Sequence, residues 1–227
     1  MLNNLLNLFF PSLCSGCSSL LLASEQWVCS RCIHDLPFTN HHKNSQNEIT
    51  QKFYGLLPIE FGISLLYFRE GSFVQKIIHN LKYRNQPELG VFIGNLCNDD
   101  IVQFIKNHHV TTLVPVPLHK KRLKERGYNQ IDSFCDTISH LCNIPVNKNI
   151  LVRSLYNTTQ TKKNREDRQM SKKSIFEVSY TELDHGEHFL LVDDVITSGA
   201  TLETCARKLL EIPNAKVSII TMACTVS

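Results

Sequence analysis

Residues 189–201 constrain the fold of this chain more than any other segment, because they join an apolar run to two consecutive acids and a turn of small residues. Residues 189–192 are apolar without alternation, which is typical of a strand covered on both faces in a parallel sheet. Leu202, Ala206 and Leu209 then follow at helical spacing. The segment therefore predicts a buried strand, a tight turn and the start of a helix.

The predicted turn has the composition of a phosphate-binding loop. All of its residues are small or carry a hydroxyl group: Thr197, Ser198, Gly199, Ala200 and Thr201. Small side chains let a phosphate approach the backbone N–H groups, and the start of a helix adds a partial positive charge. Asp193 and Asp194 precede the turn, where they could accept hydrogen bonds from ribose hydroxyls or hold a metal ion through them. The alternative is an ordinary strand–turn–helix connection with acidic surface residues.

Two other phosphate-binding fingerprints do not occur in the sequence. Neither Gly-x-x-x-x-Gly-Lys-Ser/Thr nor Gly-x-Gly-x-x-Gly is found at any position. The first marks P-loop nucleotide triphosphatases and the second marks dinucleotide-binding domains. The sequence therefore supports neither of these two classes.

Length and charge suggest one catalytic-size domain with a small appendage. The 227 residues are 42% hydrophobic, which is enough for one substantial core. The net charge is only +3, but residues 120–126 carry five bases against one acid and residues 148–173 carry eight against two. Bases concentrated in two segments favour anion-binding loops over a generally basic nucleic-acid coat, the alternative being solvated helix faces.

Four of the nine cysteines form two Cys-x-x-Cys pairs with eleven residues between them: Cys14, Cys17, Cys29 and Cys32. Four thiolates at this spacing predict a closed structural Zn²⁺ site, which would help a segment without a core of its own to fold. A redox pair is the competing interpretation. The remaining cysteines that lie in apolar or helical contexts are expected in the core, and they are Cys97, Cys205 and Cys224.

The same cysteine content indicates a reducing compartment, so we expect the protein in the cytoplasm. Residues 2–10 are apolar but lack a basic region and a small-residue cleavage site. They are also far shorter than the ~20 residues that span a bilayer. We expect a short helix packed on the body and no stable membrane insertion, with peripheral membrane contact as the alternative.

Residues 39–51 are rich in Asn, His, Lys, Ser and Gln and predict a linker. The expected division is an N-terminal helix and zinc-binding module over residues 1–38, a linker over residues 39–52, and a larger domain over residues 53–227. His41 and His42 could be metal ligands, but exposed linker residues are the simpler expectation.

From residue 63 onward, apolar runs alternate with helical periods. Strands are expected near residues 63–68, 111–114, 150–152, 189–193 and 216–222, and helices near residues 73–81, 89–106 and 129–141. This order predicts an α/β fold with a mostly parallel, doubly wound sheet. Ligands bind beyond the carboxyl ends of such strands, where the loops after residues 114, 152 and 193 should converge.

Three segments carry a family resemblance. Residues 193–201 read DDVITSGAT, residues 114–130 read VPVPLHKKRLKERGYNQ, and residues 82–84 read Lys-Tyr-Arg. The first segment resembles the phosphoribosyl pyrophosphate (PRPP) motif of type I phosphoribosyltransferases. Together with the four-cysteine module, the set resembles the ComF/GntX family of phosphoribosyltransferase-like proteins over nearly the whole chain. Tyr128 stands where that family commonly has Phe, which should preserve the packing of the ring.

The resemblance implies a type I phosphoribosyltransferase-like fold, PRPP and Mg²⁺ as ligands, and a link to DNA uptake or competence. The backbone of residues 197–201 would take the 5′-phosphate, and the catalytic acids Asp193 and Asp194 would take the ribose hydroxyls. The candidate cations for the pyrophosphate are Lys82, Arg84, Lys120 and Arg126. Residues 156–173 would form a hood over the site, with a disordered loop as the alternative, and its candidate residues are Gln160, Arg165 and Arg168.

Three functions stay open at this point. The first is a Mg²⁺-dependent phosphoribosyltransferase whose acceptor is unknown, since no dedicated general base is evident. The second is a non-catalytic DNA-handling adaptor that binds single-stranded DNA or a helicase partner, although Arg31 is the only base between Cys14 and Cys32. The third is a regulatory protein that binds a nucleotide monophosphate without catalysis.

Overall fold

A computed structural model of the chain describes residues 11–153 and 175–225. The N-terminal helix expected at residues 2–10 lies outside the described residues, and so do the predicted hood residues Gln160, Arg165 and Arg168. Within the described ranges, no helix combines the length and the apolar character that a membrane crossing requires.

The strands, in chain order, are β1 Gly62–Phe68, β2 Thr112–Pro115, β3 Leu151–Arg153, β4 Phe176–Val178, β5 His188–Ile196 and β6 Lys216–Thr225. Four of them form one sheet in the order β1-β6-β5-β2, and every neighbouring pair is parallel. The register places Phe189 beside Thr112 and Asp193 beside Thr221. Residues 189–192 are fully buried, because helices cover both faces of the sheet. The predicted parallel α/β architecture is confirmed.

The helices are α1 Ser30–His34, α2 Glu48–Phe53, α3 Phe73–Tyr83, α4 Glu88–Gly94, α5 Asp99–Asn107, α6 Lys120–Arg126, α7 Asp132–Cys142 and α8 Ala200–Leu209. The single helix expected near residues 89–106 is wrong, since α4 and α5 are separate. Asn98 has an extended backbone and accepts a hydrogen bond from Ile101 N at 3.1 Å. It therefore caps a new helix where the first has already ended.

The strand expected near residues 150–152 does not join the main sheet. β3 pairs antiparallel with β4 in a separate two-stranded sheet, with Leu151 beside Val178 and Arg153 beside Phe176. This pair packs against α8. The two strands that flank the predicted hood segment in sequence therefore lie on the helix that follows the phosphate-binding turn.

His41 is buried, so its expected exposure is wrong. Its Nδ1 accepts a hydrogen bond from Ser64 N at 3.2 Å, and its Nε2 lies 2.8 Å from Oε2 of Glu48. Asn47, also buried, donates to the carbonyl oxygen of Gly62 at 2.8 Å. Side chains of the predicted linker therefore fasten it to β1. The division into a module, a linker and a larger domain stays a prediction.

Five cysteines outside the N-terminal cluster are buried: Cys97, Cys135, Cys142, Cys205 and Cys224. The core placement predicted for three of them is confirmed. Trp27, half-buried, packs on the same core, and its carbonyl oxygen accepts a hydrogen bond from Ser15 N at 2.9 Å.

Candidate functional site

The predicted phosphate-binding turn lies between β5 and α8, as the sequence indicates. β5 ends at Ile196, and α8 begins at Ala200. Thr197, Ser198 and Thr201 are exposed, so their hydroxyls and the first backbone N–H groups of the helix are open to a ligand. A strand that delivers its carboxyl end to a helix start is the arrangement in which parallel sheets bind phosphate.

Gly199 closes this turn and immediately precedes the helix. Its φ angle is +83°, a left-handed conformation that side-chain-bearing residues rarely adopt. A Cβ atom built there would lie 3.3 Å from Cζ of Phe53, a buried ring on α2. Both the backbone conformation and the contact beneath it therefore favour glycine.

Asp193 and Asp194 belong to β5 itself and are not in the turn. Neighbouring residues on a strand point to opposite faces, so the two carboxylates have different surroundings. Asp194 is only 7% exposed and faces α3 and the segment after α6. Burial, followed by repulsion from Asp193, raises the pKa of the Cys205 thiol on α8, so Asp193 lies on the side of that helix.

Asp194 is held by two side chains. Lys82 Nζ lies 2.7 Å from its Oδ1, and Gln130 Nε2 donates a hydrogen bond to its Oδ2 at 2.7 Å. Gln130 is also buried, and its Oε1 accepts a hydrogen bond from Nη1 of Arg126. The carboxylate, the ammonium group, the amide and the guanidinium group thus form one connected polar cluster.

Asp193 is half-buried and has no cationic side chain paired with it among the described residues. Its Oδ1 accepts a hydrogen bond from Asp194 N at 2.8 Å. Burial, followed by repulsion from the neighbouring Asp194, raises the pKa of Asp193 to about 7. The acid pair therefore comprises one carboxylate tied to a lysine and one whose charge changes near neutral pH.

Arg126 also lies against an aromatic ring. Its Cζ is 4.9 Å from the centre of the Tyr83 ring, a cation–π arrangement. The Tyr128 hydroxyl donates a hydrogen bond to the carbonyl oxygen of Leu81. These contacts join the end of α6 and Tyr128 to the end of α3. Lys82 thus contacts Asp194 directly, and Arg126 is linked to it through Gln130.

The other two predicted pyrophosphate-binding cations are placed differently. Arg84 is exposed and lines a groove of about 550 Å³ between α3 and the cysteine segment, beside Cys14, Ser15 and Lys76. It is thus not one of the residues in contact with Asp194. Lys120 is the first residue of α6.

The four predicted zinc ligands come together. The Sγ atoms of Cys14, Cys17, Cys29 and Cys32 all lie within 4.8 Å of one another. Cys17 and Cys29 are 3.7 Å apart, and a tetrahedral site with Zn–S bonds of about 2.3 Å would place its sulfur atoms about 3.8 Å apart. The cluster therefore has the size and the donor set of a four-thiolate metal site.

Backbone and hydroxyl groups support the thiolate form of Cys14 and Cys17, whereas burial raises the pKa of Cys32. Cys14 Sγ accepts hydrogen bonds from Gly16 N at 3.4 Å and Cys29 N at 3.3 Å. Ser19 Oγ lies 2.9 Å from Cys17 Sγ, and its hydrogen bond lowers the pKa of Cys17 to about 6. Thiolates are the form that binds a metal ion.

Two residues of the polar cluster were not predicted as site residues. Gln130 ends the motif at residues 114–130, and Tyr83 separates Lys82 from Arg84. A signal for Gln130 existed, since a polar residue that directly precedes the buried Ile131 is a candidate for a buried hydrogen bond. Nothing local indicated that Tyr83 and Arg126 would meet, because they are 43 positions apart in the sequence and only the fold brings them together.

Comparison with known proteins identifies relatives of this chain. A family described as a phosphoribosyl transferase domain matches residues 138–227. The chain is 26% identical to Competence protein F of Haemophilus influenzae over 222 residues, which are 93% of this chain and 96% of the relative. It is 32% identical to Competence protein ComFC of Bacillus subtilis over 139 residues, which are 61% of this chain and 54% of that protein.

Among solved structures, a hypoxanthine phosphoribosyltransferase from Trypanosoma cruzi is 13% identical to this chain, with a TM-score of 0.36. The match covers 63% of this chain and 78% of that chain. A likeness this distant carries no argument about residues or ligands. The domain match and the parallel sheet support the fold class.

Proposed function

We propose that this chain, which is similar to ComF-family, phosphoribosyltransferase-like proteins, binds PRPP together with Mg²⁺ and transfers the phosphoribosyl group to an acceptor. The observation that carries the proposal is the turn at residues 197–201. It places exposed hydroxyls and a left-handed glycine at the start of a helix, and it begins three residues after the acid pair. A sugar phosphate needs this combination of donors for the phosphate and acceptors for the hydroxyls.

In this proposal the 5′-phosphate and the pyrophosphate of PRPP bind two different sets of donor groups. The 5′-phosphate binds the backbone N–H groups and hydroxyls of residues 197–201. The pyrophosphate binds Lys82 and Arg126, which belong to the polar cluster around Asp194. Arg126 suits a phosphate because its guanidinium group donates two parallel hydrogen bonds.

In the transfer step, the bond between the anomeric carbon and the pyrophosphate oxygen breaks, and the acceptor atom forms a bond to that carbon and loses a proton. Positive charge develops on the sugar ring as the anionic pyrophosphate leaves. Lys82 and Arg126 stabilise the leaving group, and Asp193 lies on the strand where a carboxylate can hold the ribose hydroxyls. Mg²⁺, when bound with PRPP, supplies further positive charge to the pyrophosphate.

Asp193 is the described carboxylate that best fits a Mg²⁺ complex. Its oxygen atoms are hard ligands of the kind that Mg²⁺ prefers, and Asp194 is already engaged by Lys82 and Gln130. Because the pKa of Asp193 is about 7, binding of the cation complex should strengthen as pH rises through that value.

We propose Zn²⁺ as the ion of the four-cysteine cluster, in a structural role. Four thiolates leave no open coordination position, so chemistry at the metal is not part of the transfer step. The free thiols of the described cysteines fit a reducing compartment, and we propose the cytoplasm.

Release of pyrophosphate tests the transfer activity. Zinc-loaded protein is incubated with PRPP and Mg²⁺, and pyrophosphate is measured with purine bases, pyrimidine bases, ammonia or DNA oligonucleotides as acceptors. Acceptor-dependent release that Arg126→Gln reduces supports a transferase. Binding of PRPP with no release for any acceptor would leave a PRPP-binding protein and contradict the transfer step.

A second function is favoured by one surface. Tyr83 is 64% exposed and lies between His79, whose ring centre is 4.9 Å away, and Arg126. Three exposed bases of α6 precede Arg126 in the sequence, namely Lys121, Arg122 and Lys124. Aromatic rings beside bases are typical of single-strand binders, and the relatives are named as competence proteins. We propose contact with single-stranded DNA, or with a helicase partner that handles it, as the alternative function.

Fluorescence anisotropy with labelled single-stranded DNA separates the two functions. The alternative predicts binding that weakens steeply with salt and that Tyr83→Ala reduces, because phosphate contacts release counterions and the ring stacks on a base. Tyr180→Ala, at a tyrosine that is 42% exposed elsewhere on the surface, is the matched control. Absent or salt-insensitive binding would contradict the alternative.

A further inference from the structure

We infer that Gln130 is a positioning residue, whose amide holds Arg126 in the orientation that receives the pyrophosphate end of PRPP. The inference rests on the proposed function and extends it to a residue that touches no substrate atom itself. Gln130 is 6% exposed, and both ends of its amide are engaged.

The chemistry of its two neighbours fixes the direction of this amide. The Asp194 carboxylate can only accept hydrogen bonds, and the Arg126 guanidinium group can only donate them. The NH₂ end of Gln130 must therefore face Asp194, at 2.7 Å, while its oxygen faces Arg126. A neutral amide is the side chain that satisfies an anion on one side and a cation on the other.

Asp194 in turn is fixed from the opposite side. Its second oxygen lies 2.7 Å from Lys82 Nζ, and the residues on either side of it, Asp193 and Val195, pair with β6. Orientation can thus pass from the rigid central strand through Gln130 to Arg126. The Tyr83 ring also packs against the Arg126 guanidinium group, with its centre 4.9 Å from Cζ.

An arginine held in this way is ordered before the ligand arrives. A free arginine side chain loses rotamer freedom when it binds, and a preorganised one has already lost it. Without the Gln130 amide, Arg126 would keep its charge and its ring contact but lose its fixed direction. The loss should appear for ligands that carry the pyrophosphate and be absent for ligands that lack it.

The test compares PRPP with ribose 5-phosphate, each titrated calorimetrically in Mg²⁺ and checked by displacement, for wild type and Gln130→Met. We expect PRPP affinity to fall about tenfold, a change that corresponds to the ordering cost of one long side chain. Ribose 5-phosphate affinity should stay within about twofold, because that ligand has no pyrophosphate for Arg126 to bind. Gln103→Met, at an exposed glutamine on α5, is the matched control and should change neither affinity.

A double-mutant cycle asks whether Gln130 acts through Arg126. If it does, Arg126→Gln combined with Gln130→Met binds PRPP no more weakly than Arg126→Gln alone. Fold-losses that multiply in the double variant, or an equal loss for both ligands in Gln130→Met, would overturn the inference. Should Gln130→Met fail to fold, Gln130→Asn carries the same expectation, since its shorter amide cannot reach both partners.

Different results would contradict the proposed function and the inference about Gln130. A wild-type protein that binds no PRPP contradicts the proposed function and the inference with it. A wild-type protein that binds PRPP, together with a Gln130→Met variant whose preference for PRPP over ribose 5-phosphate is unchanged, contradicts the inference alone.

Discussion

Lys82 Nζ lies 2.7 Å from Asp194 Oδ1, and this ion pair joins the end of α3 to the C-terminal part of β5 across 112 positions of sequence. The side chains are 22% and 9% exposed, so both charges are largely removed from water. A pair in such surroundings leaves an uncompensated charge when one partner is removed.

Asp194→Asn should therefore lower the free energy of unfolding by about 1 to 3 kcal/mol, because Lys82 loses its counter-charge in a largely buried place. Denaturant unfolding at pH 7.5 measures the change. Glu125→Gln is the control, since Glu125 faces Lys121 in a pair whose side chains are 59% and 79% exposed. That variant should stay within about 0.5 kcal/mol of wild type. An Asp194→Asn protein as stable as the control would contradict the account of the pair.

Asp193→Asn should have the opposite effect at neutral and alkaline pH. The pKa of Asp193 rises from 3.8 to about 7 on folding, so the folded protein keeps a proton that the unfolded chain has released. The contribution of this group to stability is full below about pH 4 and is lost as pH rises to about 7. Asn carries no charge, so Asp193→Asn removes this loss of stability at higher pH.

Unfolding curves at pH 5 and pH 8 test this prediction. The free energy of unfolding of Asp193→Asn relative to that of wild type should rise from pH 5 to pH 8, by an amount on the order of 1 to 4 kcal/mol. The difference between variant and wild type isolates Asp193 from the other titrating groups. A difference that does not change with pH would show that Asp193 ionises normally in the folded protein.

Gly199→Ala should weaken PRPP binding by about tenfold, the equivalent of one hydrogen bond to a charged group. The new methyl group lies 3.3 Å from Phe53 Cζ, so the backbone N–H groups of the turn must shift. Gly186→Ala is a matched control, because its φ is +76° and no atom lies within 4 Å of the added Cβ. Both variants should lose about 1 kcal/mol of stability through backbone strain, and only Gly199→Ala should lose affinity. Equal affinities for the two variants would place the phosphate elsewhere.

Cys17→Ser should remove zinc from the protein and lower its melting temperature by more than about 5 °C, since a four-thiolate site loses a ligand and with it folding free energy. Mass spectrometry of metals in the purified protein gives the stoichiometry. Cys97→Ala, at a buried cysteine outside the cluster, should keep one zinc ion per chain. Wild-type protein without zinc, or Cys17→Ser with a full complement, would contradict the assignment.

The sequence predicted the parts of the site that follow from local pattern. The apolar run at residues 189–192 could be recognised as a buried parallel strand, and residues 197–201 as the start of a helix, because both depend on neighbours in the chain. The four cysteines were recognisable from their spacing alone. The single helix expected near residues 89–106 overlooked a local signal, since Asn98 precedes two acids in the manner of a helix cap.

Contacts between distant elements could not be predicted in the same way. Gln130 and Asp194 are 64 positions apart, and only the tertiary fold brings them together. β3 has three residues, too few to indicate whether its partner is the central sheet or β4. His41 lies in a polar segment, and its burial depends on hydrogen-bonding groups of β1 that local composition does not reveal.

Calorimetric titration of the zinc-loaded protein with PRPP in Mg²⁺ tests the central claim most directly, when repeated on the Asp193→Asn/Asp194→Asn variant and with ribose 5-phosphate. The account predicts micromolar binding of PRPP by wild type, weaker binding of ribose 5-phosphate, and loss of PRPP binding in the double variant. Wild-type protein that binds no PRPP, or a double variant that binds it as tightly as wild type, would contradict a PRPP site at the carboxyl end of β5.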